Sequence, residues 1–329
     1  MRVVWVSFAP LRKTAAGFTS DVASARYRLA LPAQAIAGSK MTYVGPGANR
    51  RTLIERFAGA DAAVFGKVID AALLQSTLEL AAELSKRGVS IIADYCDDHF
   101  LNPVFGPPYR ALANAADAVV ASTPALAEVL RTQTSTRVSV VTDPVEGKRG
   151  EPSAAIARRP RLLWFGHPVN LNTLPFGLSQ LAERKIDFTL TIVTSPDSGA
   201  ETLGHRFRTW STEAVFEELR QCDAVIIPSN SYDPGKAVKS PNRFTESVWA
   251  GRFVVAHPLP AYEALAGYGW VGEHLGEGIE WLVEHFEEAR ERVRSGQEAV
   301  AREFSREAIG RAWQSVIESV QDPRKRSTS

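Results

Sequence analysis

Cysteine is scarce: Cys96 and Cys222 are the only two in 329 residues, and they lie far apart. That excludes a disulfide framework and a cysteine-built zinc site. Long apolar runs are missing as well. No stretch approaches the ~20 apolar residues a transmembrane helix requires. The opening RVVWVSFAP is too short for a signal-peptide core, lacks a small-residue cleavage pattern and is soon followed by Arg12 and Lys13; it reads as a buried strand. Nor does either charge dominate. The formal net charge is +1, with a small cationic surplus up to Arg158 and a small anionic surplus after it. A nucleic-acid-binding surface would carry a stronger basic stripe, so nucleic acid is not expected as a partner. With 45% hydrophobic residues, these absences leave a globular protein, expected in the cytoplasm and long enough for two domains. Its basic first half suggests at most weak peripheral contact with the inner face of a membrane.

What is present is alternation. Short β-branched runs alternate with helical patterns, which argues for parallel α/β layers. The first half predicts strands at Val3–Ser7, Met41–Val44, Ala62–Phe65, Ser90–Asp94, Ala118–Ala121 and Val138–Val141, with helices over Asp21–Ala37, Ile69–Lys86 and Pro124–Arg131. The second half predicts strands at Leu162–Phe165, Thr189–Val193, Ala224–Ile227 and Phe253–Ala256, with helices near Leu174–Arg184, Thr212–Gln221 and Pro241–Ala250. Gly251 suits the end of the last of these. DAVVAST (Asp117–Thr123) and DAVIIPSN (Asp223–Asn230) are alike, which suggests two Rossmann-like units. The charged, aperiodic stretch Glu146–Pro160 is the expected linker. It separates domains 1–150 and 151–296, followed by a closing helix within 297–321 and a tail, 322–329, expected to be disordered.

The most informative stretch is AVKSPNRFTESVWAG, Ala237–Gly251. Ser240 suits an N-cap and Pro241 the first helical position. The amides of Asn242 and Arg243 would then point out of a helix start, where an anion can be held. Lys239 just before that start and Arg243 just inside it could approach the same anion. At ~100° per residue, Asn242, Arg243 and Glu246 share one side, with Phe244 and Val248 on another. This arrangement suits a nucleotide diphosphate, with its ribose hydroxyls donating to Glu246. The plainer alternative is that Glu246 pairs with Arg243 at i, i+3 and both cations are solvated. Because the segment follows the strand Ala224–Ile227, it falls on the carboxyl edge, where open α/β sheets bind ligands.

Taken together, SARYRLALPAQAI (Ser24–Ile36), ADYCDDHF (Ala93–Phe100), LLWFGHPVNLNTL (Leu162–Leu174), CDAVIIPS (Cys222–Ser229), KSPNRFTESVWAG and RFVVAHPLPAY (Arg252–Tyr262) resemble GT-B glycosyltransferases, especially the family-4-like group acting on bacterial surface glycans. The resemblance implies two Rossmann-like doubly wound domains facing a cleft, an acceptor domain first and a nucleotide-sugar donor domain second, with the last helix packing back on the first. It implies a sugar moved from a nucleotide-diphosphate donor to a hydroxyl of a glycan, lipid-linked or small-molecule acceptor, with retained configuration, in polysaccharide or glycoconjugate synthesis. No cofactor and no metal are expected, because helix starts and cations neutralise the diphosphate in this fold. The family often carries two glutamates separated by seven residues; Glu246 matches the second, and Val238 stands where the first would be. That departure admits a degenerate, non-catalytic nucleotide-sugar or glycan-binding partner. A nucleotide-sugar epimerase of the same fold is the other alternative.

Further candidates follow from the resemblance and from placement. The resemblance implies that Gly166, just after the first strand of the second domain, lets the backbone approach the diphosphate, while His167 could meet a phosphate or cap the next turn. Trp210 and the loop Thr194–Gly199 are candidates for contacting the base; a Trp before a helix is more often a core anchor. Asp94, Asp97, Asp98 and His99 form the densest ionisable cluster. Carboxylates so close should raise one another's pKa, which makes Asp97, Asp98 or His99 the candidate base for an inverting course; an acceptor clamp, a metal site and simple capping are the other readings. The resemblance brings Arg26 and Arg28 in as cleft residues that could meet the acceptor's phosphate or the donor diphosphate; surface salt bridges are the plainer reading.

Overall fold

The structure, a computed structural model, describes residues 1–15 and 17–321; the expected disordered tail, 322–329, lies outside the described residues. The chain divides into two compact units. Unit 1 comprises Met1–Pro144, Val238–Ser240 and the chain from Ser305 onward; unit 2 comprises Val145–Ala237 and Pro241–Phe304.

Unit 1 contains β1 (Val3–Ser7), a small antiparallel hairpin of β2 (Arg12–Thr14) and β3 (Gly17–Thr19), then β4 (Ser39–Tyr43), β5 (Ala62–Phe65), β6 (Ser90–Tyr95), β7 (Ala118–Ala121) and β8 (Val138–Val140). Its six-stranded sheet runs β4-β1-β5-β6-β7-β8, all parallel, with Val3 opposite Ser39 on one side and Ala62 on the other. Alternate residues feed two cores. Val4, Val6, Ala63, Phe65 and Ile91 enter one, and Val3, Trp5, Ala62, Val64 and Ile92 the other. Burial on both faces explains why these strands read as unbroken apolar runs. Helix Arg306–Gln321 covers the second core, setting Trp313 edge-on to Trp5 at 5.0 Å, with Gly310 close against Ala35. The expectation that the last helix returns to the first domain therefore holds.

Unit 2 contains β9 (Arg161–Phe165), β10 (Thr189–Thr194), β11 (Arg206–Thr209), β12 (Ala224–Ile227), β13 (Phe253–Ala256) and β14 (Trp270–Val271), in the parallel order β11-β10-β9-β12-β13-β14. The same alternation divides Leu163, Phe165, Val225 and Ile227 from Leu162, Trp164, Ala224 and Ile226. Strand order reverses between β9 and β12, which makes their carboxyl ends the topological switch point of this sheet.

The repeated Asp-Ala motif has a physical basis. Asp117 accepts the amide of Ile91 at 2.8 Å, and Asp223 accepts that of Arg161 at 2.8 Å. Asp61 does the same for Arg2 at 2.6 Å. Each carboxylate satisfies an amide at the start of a neighbouring strand.

Several elements differ from expectation. The helix predicted over Asp21–Ala37 carries a π-helical turn, Arg26–Ala30, between the short α-helices Ala23–Ala25 and Leu31–Ala35. Pro32 has no N–H to continue the regular ladder, and the amide of Leu31 bonds instead to Arg26 O. The closing pattern from Gln297 is two helices, Phe286–Glu303 and Arg306–Gln321. Ser305 interrupts it by capping the amide of Ala308 at 3.2 Å. Helix Gly106–Ala115 was not among the predicted elements; Pro107 and Pro108 fit its first turn. Among the described residues no helix is long and apolar enough to cross a membrane.

Candidate functional site

In unit 2 the switch point is occupied by Gly166, immediately after β9. Its amide donates to Val193 O at 3.1 Å. A Cβ built on it would lie 3.7 Å from Arg243 Cδ, Arg243 Nη1 and the Trp164 ring, an ordinary contact distance. The protein itself therefore does not demand glycine here, and Arg243 faces the same spot. Arg243 Nη1 is buried and has no hydrogen-bond partner among the described residues. A buried guanidinium nitrogen without an acceptor costs about 1–3 kcal/mol, so an acceptor at this spot would be stabilising.

Arg243 lies in the first turn of helix Asn242–Trp249. The sequence placed Ser240 as its N-cap and Pro241 as its first residue; both are corrected. Pro241 takes the cap position, and no side chain caps the helix. The Ser240 hydroxyl is engaged elsewhere, donating to Asp143 Oδ2 at 2.6 Å. The start is thus more open than expected, with the first-turn amides from Asn242 outside the helix's own bonding. Phe244 and Val248 enter the core as the pattern predicted.

The other donor-side candidates separate. His167 is exposed, and its Nδ1 accepts the amide of Val169 at 3.2 Å, so it caps the 3₁₀ turn Pro168–Thr173. Trp210 donates its amide to Thr194 O at 2.8 Å and packs against the unit 2 core. Glu246 was expected to face ribose hydroxyls. Instead it is 2% exposed, accepting the amides of Glu146 at 2.6 Å and Gly147 at 3.4 Å. Trp249, one turn on, donates to Gly147 O at 2.9 Å, so the two side chains fix the start of unit 2. Glu246→Ala is accordingly expected to lower ligand-free stability by about 2 kcal/mol through lost amide bonds. A melting scan checks this. Unchanged melting with weakened nucleotide binding would favour the ribose role instead.

In unit 1 the carboxyl edge carries the ionisable cluster, which includes a residue the sequence reading missed. Lys67, two residues beyond β5, pairs with Asp97 Oδ2, while Lys239 pairs with Asp97 Oδ1. Burial alone would raise the Asp97 pKa, but Lys239 and Lys67 outweigh it and hold the carboxyl below its usual value. The expectation of mutually raised carboxylates is therefore overturned at Asp97. Burial would lower Lys67, yet Asp97 holds its ammonium above the ordinary value. His99 Nε2 lies 3.9 Å from Asp97 Oδ2, and burial together with Lys67 pushes its imidazole down. Asp98 accepts the amide of Phe100 at 3.0 Å, a local capping role. Among the described residues no group of three or more His, Cys, Asp or Glu could hold a metal ion.

The two arginines of the π turn are interior. Arg28 is 1% exposed, its Nη2 2.6 Å from Asp94 Oδ1 and its Nη1 2.8 Å from Asp143 Oδ1. Arg26 is 4% exposed, with Nη1 donating to Ser20 O at 2.9 Å. Neither presents itself at a surface: Arg28 has an ion-pair role, and Arg26 bonds backbone carbonyls and lies 5.0 Å from the Tyr27 ring, in place of the cleft and surface roles expected for both. Lys239 and Ser240 thus fall in unit 1, whereas Gly166, Asn242, Arg243 and Glu246 fall in unit 2. A second missed cation is Lys236, whose Nζ bonds Asn170 Oδ1 on the turn after β9. Lys67 could have been found as a cation directly beyond a strand, whereas nothing in sequence joins Lys236 to Asn170.

Two doubly wound units with the final helix returned to the first define the GT-B fold. No protein-family model matches the sequence, and no curated protein matches it. Solved structures do. Anabaena HepE in complex with UDP superposes with a TM-score of 0.73 at 10% identity, covering 97% of this chain and 100% of that one. The E. coli trehalose-6-phosphate structure bound with UDP-2-fluoro glucose gives 0.65 at 9% identity, covering 98% and 99%. The lipopolysaccharide outer core galactosyltransferase WaaB gives 0.63 at 13% identity, covering 97% and 99%. At these identities the likeness is one of fold.

Proposed function

We propose that the chain is a glycosyltransferase that moves a sugar from a nucleotide-diphosphate sugar to a hydroxyl acceptor, with unit 2 as the donor domain. The observation that carries this is the unpartnered, buried Arg243 Nη1 beside Gly166 at the switch point of the unit 2 sheet. Support also comes from the neighbours, since HepE is solved with UDP and with UDP-glucose. Uridine is therefore the first carrier to test.

In the reaction the acceptor oxygen bonds to the anomeric carbon as the bond from that carbon to the phosphate oxygen breaks. Negative charge grows on the leaving diphosphate, where Arg243 and the uncapped start of Asn242–Trp249 would stabilise it without reorganising. In a retaining course the acceptor proton passes to the leaving phosphate, and no protein base is required. In an inverting course His99 suits the role of base better than Asp97, whose two lysines weaken its hold on a proton. We read the chemistry as metal-independent and the pathway as polysaccharide or glycoconjugate synthesis, on the resemblance above. Val238, buried at 4% exposure in the unit 1 core, keeps the non-catalytic partner as a second reading, separated from the first by turnover.

The test is a thermal-shift screen with UDP, GDP, dTDP and their sugar conjugates. The true carrier at ~100 times its Kd should add about 2.7 kcal/mol of stability. Gly166→Ala is expected to melt like the wild type when ligand-free, because its methyl meets only ordinary contacts, yet to lose most of the ligand shift. No shift with any nucleotide at millimolar concentration would overturn the donor assignment.

A further inference from the structure

We infer that His257 is a positioning residue for the donor site: it holds the peptide unit between Pro228 and Ser229, and through it the turn that follows Gly166, and it releases that unit when its ring takes up a second proton. That the held turn serves a nucleotide-sugar rests on the proposed function; the hydrogen-bond switch itself does not.

His257 is 1% exposed and stands directly after β13, where its amide donates to Ile227 O at 3.1 Å and so ties its backbone to β12. Its Nε2 lies 2.8 Å from Gln180 Oε1. Two other bonds settle which end of that side-chain amide faces the ring. Gln180 Nε2 donates to Glu273 O at 2.8 Å, and Oε1 accepts the amide of Leu275 at 3.0 Å. Oε1 is therefore the acceptor beside the ring, and His257 Nε2 carries a proton. On the other side Nδ1 lies 3.1 Å from the amide nitrogen of Ser229 and 2.9 Å from its carbonyl oxygen. Two ring states thus satisfy Gln180. The neutral ring accepts the Ser229 N–H at Nδ1. The imidazolium has no lone pair left there and donates to Ser229 O instead, so the N–H loses its acceptor.

That N–H belongs to a peptide plane held at both ends. The carbonyl of the same unit, Pro228 O, lies 2.9 Å from Thr173 Oγ1, which is also 2.8 Å from Asn170 O and so shares its proton between loop and turn. Because the peptide is rigid, turning its N–H from His257 also turns its carbonyl from Thr173. Thr173 closes the 3₁₀ turn Pro168–Thr173, which starts just beyond Gly166 and His167. Lys236, further along the loop from Pro228, bonds Asn170 of that turn as well. His257 therefore reaches the turn beside Gly166 through one peptide unit and one hydroxyl.

The surroundings favour the holding state. From helix Leu174–Glu183 the ring is faced by Gln180 and by Phe176, whose ring centroid is 5.4 Å away, and neither carries charge. Burial is the largest influence and opposes the imidazolium, as does His274; Ser229 and Glu273 favour it without prevailing, which leaves the pKa below the ordinary imidazole value. The stability that this neutral ring contributes is fully present above the unfolded pKa and is lost as pH falls through the folded one.

The ligand-free test is nitrogen NMR of the imidazole together with hydrogen exchange at the Ser229 amide. At about pH 8 a proton on Nε2, a bare Nδ1 and a protected amide are expected, with protection lost toward about pH 5 after correction for intrinsic exchange. An Nδ1–H tautomer at the higher pH, or an amide equally protected once both ring nitrogens carry protons, overturns the inference. The second test is titration with UDP-glucose, whose diphosphate is esterified at both ends and keeps its charge over this range. Affinity is expected to fall about tenfold, one hydrogen bond's worth, between about pH 8 and about pH 5. His257→Asn supplies an acceptor that takes up no proton, so its affinity should change less than about twofold over the same range, whereas His257→Leu should bind about tenfold more weakly throughout. His167→Asn keeps a cap for Val169 and should retain the wild-type pH dependence. Binding by His257→Leu that matches the wild type, or a pH dependence that survives in His257→Asn and vanishes in His167→Asn, removes the positioning role. If UDP-glucose binds at neither pH, the donor reading fails, and the ligand-free measurements alone decide the switch.

Discussion

Arg243→Ala is expected to weaken binding of the donor nucleotide about a hundredfold and to lower turnover by about 10²–10³. The first figure is what one or two charge-assisted hydrogen bonds contribute when the partner is buried; the second is typical of losing one preorganised donor to a developing anion. What makes the prediction discriminating is the ligand-free state. Arg243 Nη1 has no acceptor among the described residues, and the side chain takes part in no ion pair found there. Removing it breaks no internal bond of that nitrogen, so melting without ligand should be unchanged or slightly raised. Arg243→Lys would keep a charge but lose the planar fork, and should fall between wild type and Arg243→Ala. The measurements are a UDP titration, a melting scan and single-turnover kinetics with a UDP-sugar. A variant that melts earlier yet binds and turns over normally would make Arg243 a structural residue and remove the main support for the donor site.

Much of the fold was legible because parallel strands buried on both faces write themselves as short unbroken apolar runs. β1, β5, β7 and β12 have all their residues buried, and each was read within a residue or so of its ends. Exposed or short elements carried no such pattern. β11 has no buried residue and β14 spans only two residues. Of the proposed donor site, Gly166 and Arg243 were legible because one follows a strand and the other follows a Ser-Pro break. Their mutual contact was not, since it depends on how β9 and helix Asn242–Trp249 pack.

The misreadings share a cause: local rules were applied to side chains whose partners are remote in sequence. Ser240 looked like a cap, yet its acceptor is Asp143, 97 residues away. Lys239 looked like a second cation for the anion expected at Arg243, yet its carboxylate is Asp97, 142 residues away. Glu246 looked exposed on a polar helix face, but that face is covered by the backbone of Glu146 and Gly147. In each case a tertiary bond displaced a locally plausible one.

The second large effect is expected in stability, at Arg28. Its guanidinium is fully engaged: Nη2 and Nε reach Asp94 at 2.6 and 3.1 Å, and Nη1 reaches Asp143 at 2.8 Å and Val141 O at 2.6 Å. It also lies 5.6 Å from the Trp313 ring. Burial opposes the charged form, but the two aspartates more than offset this and raise its pKa above the already high ordinary value. Arg28→Met would leave two buried carboxylates without their cation, at a cost of about 3–5 kcal/mol. For a unit of this size that lowers its melting transition by about 10 °C. The sign of the pH dependence follows from Asp94, whose pKa burial already raises. Without Arg28 it rises further, and the protonated carboxyl bears no charge to desolvate. The deficit of Arg28→Met should therefore be largest at neutral and higher pH, and shrink as pH falls through that raised pKa. Arg28→Met combined with Asp94→Asn and Asp143→Asn should recover part of the loss at neutral pH, because no buried charge is left unpaired. Calorimetry across pH on the three proteins checks both statements. A single variant that melts like the wild type would mean the network contributes nothing net to unit 1, and a deficit that does not change with pH would place its origin in lost packing against Trp313 rather than in charge.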